Sequence, residues 1–210
     1  MCYDSNASLK SLFFGILGSI LLYGTLPELA IYILFIYIMQ IFDYIFWINP
    51  YKNDINYYCT KLAMISNLLQ PIVWALCIIY IGKKKLLSIE KILLIIYIIT
   101  IILYIVYHWN SVNYTLVTKE SYPGLYWEWT SNEKIGRNFW ASLYIIIIGL
   151  LAYNHIIFPY NYGIIILLIS SFIISYNNYH RASSTGRMWC KNIPYAYFIS
   201  GLFIFIYSLF

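Results

Sequence analysis

One carboxylate stands inside a long apolar segment of the sequence. Asp43 lies within residues 26–49, which are otherwise almost all apolar and numerous enough to cross a bilayer. Gln40 comes three residues before it and Trp47 four residues after it, so a helix would place the three side chains on one face. A carboxylate at that depth is costly, and such residues often bind a cation, a proton or a substrate group in a wet cavity. The competing interpretation of Asp43 is a structural hydrogen bond or ion pair with a neighbouring helix.

A second polar stripe follows in the next apolar segment. Asn67, Gln70 and Trp74 recur at three- and four-residue spacing, with Pro71 beside them. Proline frees a carbonyl one turn earlier, and in lipid that carbonyl needs another partner or water. A short loop joins the two segments, so we predict antiparallel neighbours whose polar stripes form one pocket toward the membrane face that holds the N-terminus. The alternative is packing by interhelical hydrogen bonds, worth about 0.6 kcal/mol each.

Two further charged residues are candidates for this pocket. Glu128 stands between Trp127 and Trp129, so it could close the pocket as an interfacial lid or belong to an aromatic belt at the membrane surface. Arg187 precedes the last apolar segment, where it could pair with Asp43 or Glu128 or anchor at lipid headgroups.

Cysteine positions allow a disulfide but do not indicate a metal site. Cys2, Cys59 and Cys190 are predicted on the N-terminal face, where an oxidising compartment would permit one disulfide and the cytosol would leave free thiols. No cysteine or histidine pair has the spacing of a zinc site. We therefore predict neither a metal nor a cofactor.

Composition places the chain in a membrane. It has 210 residues, of which 62% are hydrophobic, and only 10% are charged, compared with about 25% in soluble domains. The mean hydropathy is +0.71. We predict an all-α, polytopic transmembrane bundle of about seven spans (or six, because two are short) that forms a single domain over 1–210, with a long loop at 110–138. The predicted helices are 9–24, 28–48, 62–82, 89–108, 139–154, 162–177 and 192–210.

Loop charges predict the orientation of this multi-pass protein. Lys83–Lys85 and Lys91 form the densest basic cluster, in a short loop, and short basic loops tend to stay cytoplasmic. This favours an N-terminus outside or in a lumen and a cytoplasmic C-terminus. Glycosylation triplets at Asn6 and Asn113 agree, whereas the larger total of Lys and Arg on the N-terminal face opposes it.

Missing motifs exclude several classes. Residues 192–210 contain no lysine, which excludes a retinal Schiff base in the usual rhodopsin position. Gly-x-Ser-x-Gly and His-Glu-x-x-His are absent, and no basic arm or phosphate loop indicates a nucleic acid as partner.

Short motifs along most of the chain resemble those of one family. Residues 1–8 resemble a Met-Cys-Phe-Ser-Ala-x-Ala-Ser start, although Tyr3 and Asp4 depart from it, and 40–47 match Gln-x-x-Glu-x-x-x-Trp with aspartate in place of glutamate. Gln-Pro at 70–71 and Met-Trp-Cys at 188–190 also fit. The chain resembles a family of small polytopic membrane proteins of bacteria, algae and large DNA viruses. That resemblance implies the fold and points to Cys2, Gln40, Asp43, Trp47 and Cys190, but it implies no activity.

Three functions compete at this point. The polar amides favour a channel, transporter or ligand-binding protein whose pocket takes a cation, a proton or a small polar solute. An intramembrane enzyme would use Asp43 or Glu128 with Cys190, Cys2 or His108, and this is the weaker hypothesis. A structural or assembly protein of a cellular or viral membrane is the third. The predicted partners are the lipid bilayer and a small solute, and the sequence leaves open whether the chain also forms a homo-oligomer.

Overall fold

Long helices make up most of the structure. The computed structural model describes residues 4–118, 124–126, 134–158, 160–179 and 185–207. Within them the helices are α1 (Ser5–Tyr23), α2 (Pro27–Ile48), α3 (Asp54–Tyr80), α4 (Ser88–His108), α5 (Lys134–His155), α6 (Tyr160–Tyr179) and α7 (Thr185–Tyr207). Two short antiparallel strands, β1 (Leu116–Thr118) and β2 (Gly124–Tyr126), form a hairpin between α4 and α5. The predicted helical architecture is confirmed, and the hairpin is an addition to it.

Four of the described helices are long and apolar enough to cross a membrane. These are α1, α2, α3 and α4. Shorter apolar stretches occur at Ser142–His155 in α5 and at Phe198–Tyr207 in α7. One side of α4 exposes a row of branched apolar side chains, including Ile92, Ile95 and Ile99, as a lipid-facing helix does. Helix length and composition therefore indicate a membrane protein.

Several helices begin earlier than their apolar segments. The helix predicted at 9–24 begins at Ser5, because the Asp4 carboxylate caps it and accepts a hydrogen bond from Ala7 N–H (2.7 Å). The helix predicted at 62–82 begins at Asp54, where the Asn53 side chain accepts from Asn56 N–H (2.9 Å). These bounds were wrong because hydropathy marks the lipid-spanning part of a helix and not its capped, polar first turns.

The later predicted bounds differ in the same way. The helix predicted at 139–154 runs from Lys134 to His155, the one at 162–177 from Tyr160 to Tyr179, and the one at 192–210 from Thr185 to Tyr207. The loop predicted at 110–138 is therefore shorter, and the hairpin lies within it.

The helices pack in chain order and the last returns to the first. Each helix contacts the next one in sequence, and α7 also packs against α1. A cross-contact joins α3 to α5, so α3 lies against α2, α4 and α5. This arrangement brings polar residues of three different helices beside the stripe on α3.

Small residues line much of the face of α1 that packs on α2 and α7. A Cβ added at Gly15 would overlap the ring of Tyr37 on α2. A Cβ added at Gly201 on α7 would lie 3.0 Å from the Gly18 carbonyl oxygen. Small residues allow such close backbone approach, which is a usual way for helices to associate in lipid. The buried small residues of α1 are Ser8, Ser11, Gly15, Gly18 and Ser19.

Buried polar side chains at the start of α3 hold the chain that follows α4. The Asn56 amide donates to the carbonyls of Asn49 and Thr115 (2.9 Å each) and accepts from Thr115 N–H (2.9 Å). Thr60 Oγ1 lies 3.1 Å from Thr115 Oγ1. Thr115, the last residue of the glycosylation triplet that begins at Asn113, is thus fully buried and has a structural role.

Lys61 provides the second attachment on this face. Its buried ammonium donates to the backbone carbonyls of Trp109 and Val112, just beyond the C-terminal end of α4. The same nitrogen lies 4.8 Å from the ring centroid of Trp109 and 5.2 Å from that of Tyr57. A cation at a helix C-terminus complements the partial negative charge of the last carbonyls, so Lys61 fixes the end of α4 against α3.

Candidate functional site

Asp43 is completely buried on α2. Its relative exposure is 0%, and Gln40, one turn away, is also buried, while Trp47 is half-buried. The neighbours in this helix are apolar on every side except for Gln40 and the tyrosines. An acid sealed within a helix that can span a membrane is the main feature of the candidate site.

Two contacts fix the antiparallel register of α2 and α3. The rings of Tyr32 and Trp74 stack with centroids 4.7 Å apart, and Asn56 bonds to the Asn49 carbonyl at the other end of the pair. This register places Asp43 level with Ala63 and Gln40 level with Ser66, the residue before Asn67. Gln70 lies two turns farther from the N-terminal face than Asp43, about 10 Å at 1.5 Å per residue. The site is therefore a stripe along the helix pair and not a cluster at one depth.

The amide of Gln70 has its partner on α5. The Tyr144 hydroxyl donates to Gln70 Oε1, and Gln70 is 5% exposed. On the other side of α3, the Tyr97 hydroxyl of α4 donates to the Leu68 carbonyl (2.7 Å). This carbonyl is next to that of Asn67, whose helical donor is removed by Pro71. The sequence analysis did not predict Tyr144 and Tyr97 as hydrogen-bond donors to α3. A tyrosine inside a run of isoleucines does, however, indicate a phenol that needs a buried acceptor.

Trp74 contributes a buried donor to the same stripe. It is 1% exposed, and its indole Nε1–H has no acceptor among the residues that the structure describes. A buried N–H without an acceptor is unfavourable by roughly 1–3 kcal/mol. The stripe therefore offers a hydrogen-bond donor to a polar molecule that reaches it.

Comparison with protein-family models, curated proteins and solved structures finds no match. The resemblance to small polytopic membrane proteins therefore stays a prediction.

Some predicted residues lie beyond what the structure describes. Cys2 and Glu128 are outside the described residues, and the side chains of Arg187 and Cys190 are outside them as well. Cys59 has a free thiol. Among the described residues, no three His, Cys, Asp or Glu side chains come together in a group that could hold a metal ion.

A second polar cluster, at the face opposite the N-terminus, was missed from sequence. Glu28 at the start of α2 is 4% exposed and accepts from Lys84 Nζ (2.6 Å), in the loop between α3 and α4. The same ammonium donates to the backbone carbonyl of His155 at the end of α5 (2.6 Å). Lys84 therefore connects three parts of the bundle, and it differs from Lys83 and Lys85, which are exposed.

The other half of this cluster is a buried carboxylate–imidazole pair. His155 Nε2 lies 2.9 Å from Glu90 Oε2 of α4, and the two residues are 8% and 1% exposed. Glu90 also accepts from Asn154 Nδ2 (2.9 Å) and from the Leu87 backbone N–H (2.8 Å). Because each of these residues flanks a loop, sequence alone assigns them to solvated helix ends, and only the fold shows that they meet.

We expect Lys84→Met to destabilise the protein strongly. The substitution leaves the Glu28 carboxylate buried without its cation, and breaking a buried ion pair costs about 3–5 kcal/mol. Since the Lys84 side chain is 33% exposed, the cost should fall at or below the lower end of that range. Thermal unfolding in detergent micelles measures it.

The neighbouring lysine gives a matched control. Lys85→Met removes the same charge from an exposed position and should leave the melting temperature nearly unchanged. Adding Glu28→Gln to Lys84→Met should recover part of the loss. Equal effects of Lys84→Met and Lys85→Met would contradict the structural role of the pair.

Proposed function

We propose that this chain is a multi-pass integral membrane protein whose bundle binds or translocates an ion, a proton or a small polar solute. In this proposal all seven helices span the membrane, with the N-terminus outside or in a lumen and the C-terminus in the cytoplasm. The polar stripe along α2 and α3 forms the pocket, with Asp43 as its charged group.

The observation that carries the proposal is the complete burial of Asp43 in a helix that can span a membrane. An acid at such a position is rare in membrane helices and usually serves an ion, proton or substrate pathway. The buried amides of Gln40 and Gln70 and the donor of Trp74 extend the polar surface along the helix pair. Together they provide acceptors for a cation or proton and a donor for a neutral polar solute.

An enzymatic role has less support from the described residues. His108, one of the assisting groups in that hypothesis, lies at the end of α4 with Nδ1 3.4 Å from Ser111 Oγ, a long contact. The Ser111 hydroxyl instead donates to the His108 backbone carbonyl (3.1 Å), so it is not held for activation by the imidazole.

Flux through reconstituted protein tests the proposal. We expect proteoliposomes loaded with a pH-sensitive or cation-sensitive dye to show protein-dependent flux, which Asp43→Asn abolishes without lowering expression. Asparagine is nearly isosteric but cannot carry the charge that a cation or proton requires. Asp54→Asn, at the exposed start of α3, is the matched control and should retain flux.

The same experiment distinguishes transport from a purely structural role. If Asp43→Asn changes melting temperature or self-association while wild-type protein shows no flux of protons, monovalent cations or small polar solutes, the protein is an assembly component and the transport proposal fails. Equal flux through Asp43→Asn and Asp54→Asn would remove Asp43 from the pathway.

A further inference from the structure

At the face opposite the N-terminus, the acids are buried and most of the lysines are exposed. Glu28 and Glu90 are 4% and 1% exposed, and both carboxylates accept hydrogen bonds inside the bundle. Lys83, Lys85 and Lys91 are exposed. Among the residues of this face that the structure describes, every fully exposed charged group is therefore an ammonium, and the surface attracts anions.

The loop between α3 and α4 holds Lys83 and Lys85 in place. Lys84, between them, is directed inward, and its ammonium lies 2.6 Å from the Glu28 carboxylate. A Cβ added at Gly82 would lie 3.3 Å from the Glu28 carboxyl carbon, so the loop backbone packs closely on the start of α2. Because this backbone is fixed, less conformational freedom is lost when the two flanking lysines bind an anion.

Lys83 has a backbone conformation that favours glycine. Its φ is 51°, in the left-handed region, and no other non-glycine residue that the structure describes has a positive φ. A Cβ in this region crowds the adjacent carbonyl oxygen, so lysine is less favourable here than glycine. The turn alone does not explain a lysine at this position, whereas a binding role for its ammonium does.

Lys91 stands at the end of the lipid-exposed side of α4. Ile95 and Ile99 follow it at four-residue spacing, so the three side chains lie on one face of the helix. The two isoleucines are 58% and 54% exposed. An acyl chain along these isoleucines would bring its headgroup to the level of Lys91, whose long side chain can reach the membrane surface.

We propose that Lys83, Lys85 and Lys91 bind the headgroup phosphate of an anionic phospholipid whose acyl chain lies along the exposed isoleucines of α4. Ammonium groups pair with phosphate oxygens, and each lysine near an anionic lipid surface strengthens binding about fivefold. In the proposed orientation this face meets the cytoplasmic leaflet, which carries anionic lipids. The inference rests on that membrane topology and not on transport, so an absence of flux would leave it intact.

Native mass spectrometry of delipidated protein in detergent, titrated with phosphatidylglycerol or phosphatidylcholine, tests the site. We expect phosphatidylglycerol to bind more tightly, and Lys85→Gln combined with Lys91→Gln to weaken its binding roughly 25-fold. Lys10→Gln combined with Lys52→Gln is the matched control, because it removes the same charge from exposed positions toward the N-terminal face and should leave the affinity unchanged. Equal affinity for the two lipids, or equal losses in the two double variants, would overturn the proposal.

Lys83→Gly distinguishes lipid binding from folding. Glycine suits the left-handed backbone and removes the ammonium. The melting temperature in lipid-free detergent should therefore rise, while the affinity for phosphatidylglycerol falls about fivefold. An unchanged affinity would contradict the proposal.

Inorganic phosphate tests the part of the site that holds the acyl chain. Phosphate at the same concentration as phosphatidylglycerol should displace little of the lipid, because it makes no contact with the isoleucines of α4. Displacement of half the bound lipid or more would show that the lysines bind phosphate without the chain, and the lipid assignment would be wrong.

Discussion

We expect Asn56→Ala to reduce the free energy of unfolding by about 2–6 kcal/mol, a loss that few single substitutions in this chain should exceed. The Asn56 amide is fully buried and satisfies both the N–H and the carbonyl of Thr115, which is itself fully buried. Alanine leaves these two backbone groups without partners and away from water, and each costs about 1–3 kcal/mol. Thermal unfolding in detergent, monitored by tryptophan fluorescence, measures the change.

An exposed asparagine provides the comparison for this variant. Asn6→Ala, on the exposed side of the first turn of α1, should shift the melting temperature little. Asn56→Asp tests the mechanism further, because the carboxylate keeps an acceptor for Thr115 N–H and loses the donor to the Thr115 carbonyl. Its stability should fall between those of wild type and Asn56→Ala unless the added charge dominates. Similar melting temperatures for Asn56→Ala and Asn6→Ala would show that the amide does not hold the loop.

The second large effect is expected at the contact between α1 and α2. In Gly15→Ala the new methyl group would overlap the ring of Tyr37, which is buried and has little room to move. Overpacking of this kind costs about 1–3 kcal/mol. The melting temperature in detergent should fall accordingly, and larger side chains at position 15 should prevent α1 from docking.

A second glycine gives the control for this substitution. Gly149→Ala places a methyl group on α5 where no described residue beyond its own stretch of helix comes within 4 Å, so it should be neutral or slightly stabilising. Combining Gly15→Ala with Tyr37→Leu should recover part of the lost stability, because the smaller side chain frees the space that the methyl group needs. A fully stable Gly15→Ala protein would mean that the helices can separate at this point without cost.

Uninterrupted apolar runs made the central helices predictable. The bounds of α2 and α4 agree with the predicted 28–48 and 89–108 to within one residue, because proline or a polar loop ends each run sharply. The start of α3 was not predictable from hydropathy. Residues 54–61 are rich in polar side chains, and their burial depends on Thr115 and Trp109, which lie about fifty residues or more away along the chain.

Some features of the candidate site were likewise predictable from the sequence, and others were not. The burial of Asp43 follows from the apolar residues on both sides of it, and the burial of Gln70 and Trp74 at four-residue spacing follows from the helical periodicity of α3. The pairing of Gln70 with Tyr144 could not be predicted, because helical periodicity does not show which helix packs against α3. Lys84 and His155 were missed for a related reason, since each alone has the sequence pattern of a residue at the lipid headgroups.

The meeting of Gly18 with Gly201 has a consequence for how the protein is made. In the proposed membrane topology α1 enters the bilayer long before the ribosome reaches residue 201, so one side of its small-residue face would stay against lipid until α7, which packs on it, arrives. In that topology, closure of the bundle is a late event that follows insertion. A nascent chain stalled before α7 should present an α1 that other membrane helices, or the quality-control proteases that survey them, can still recognise.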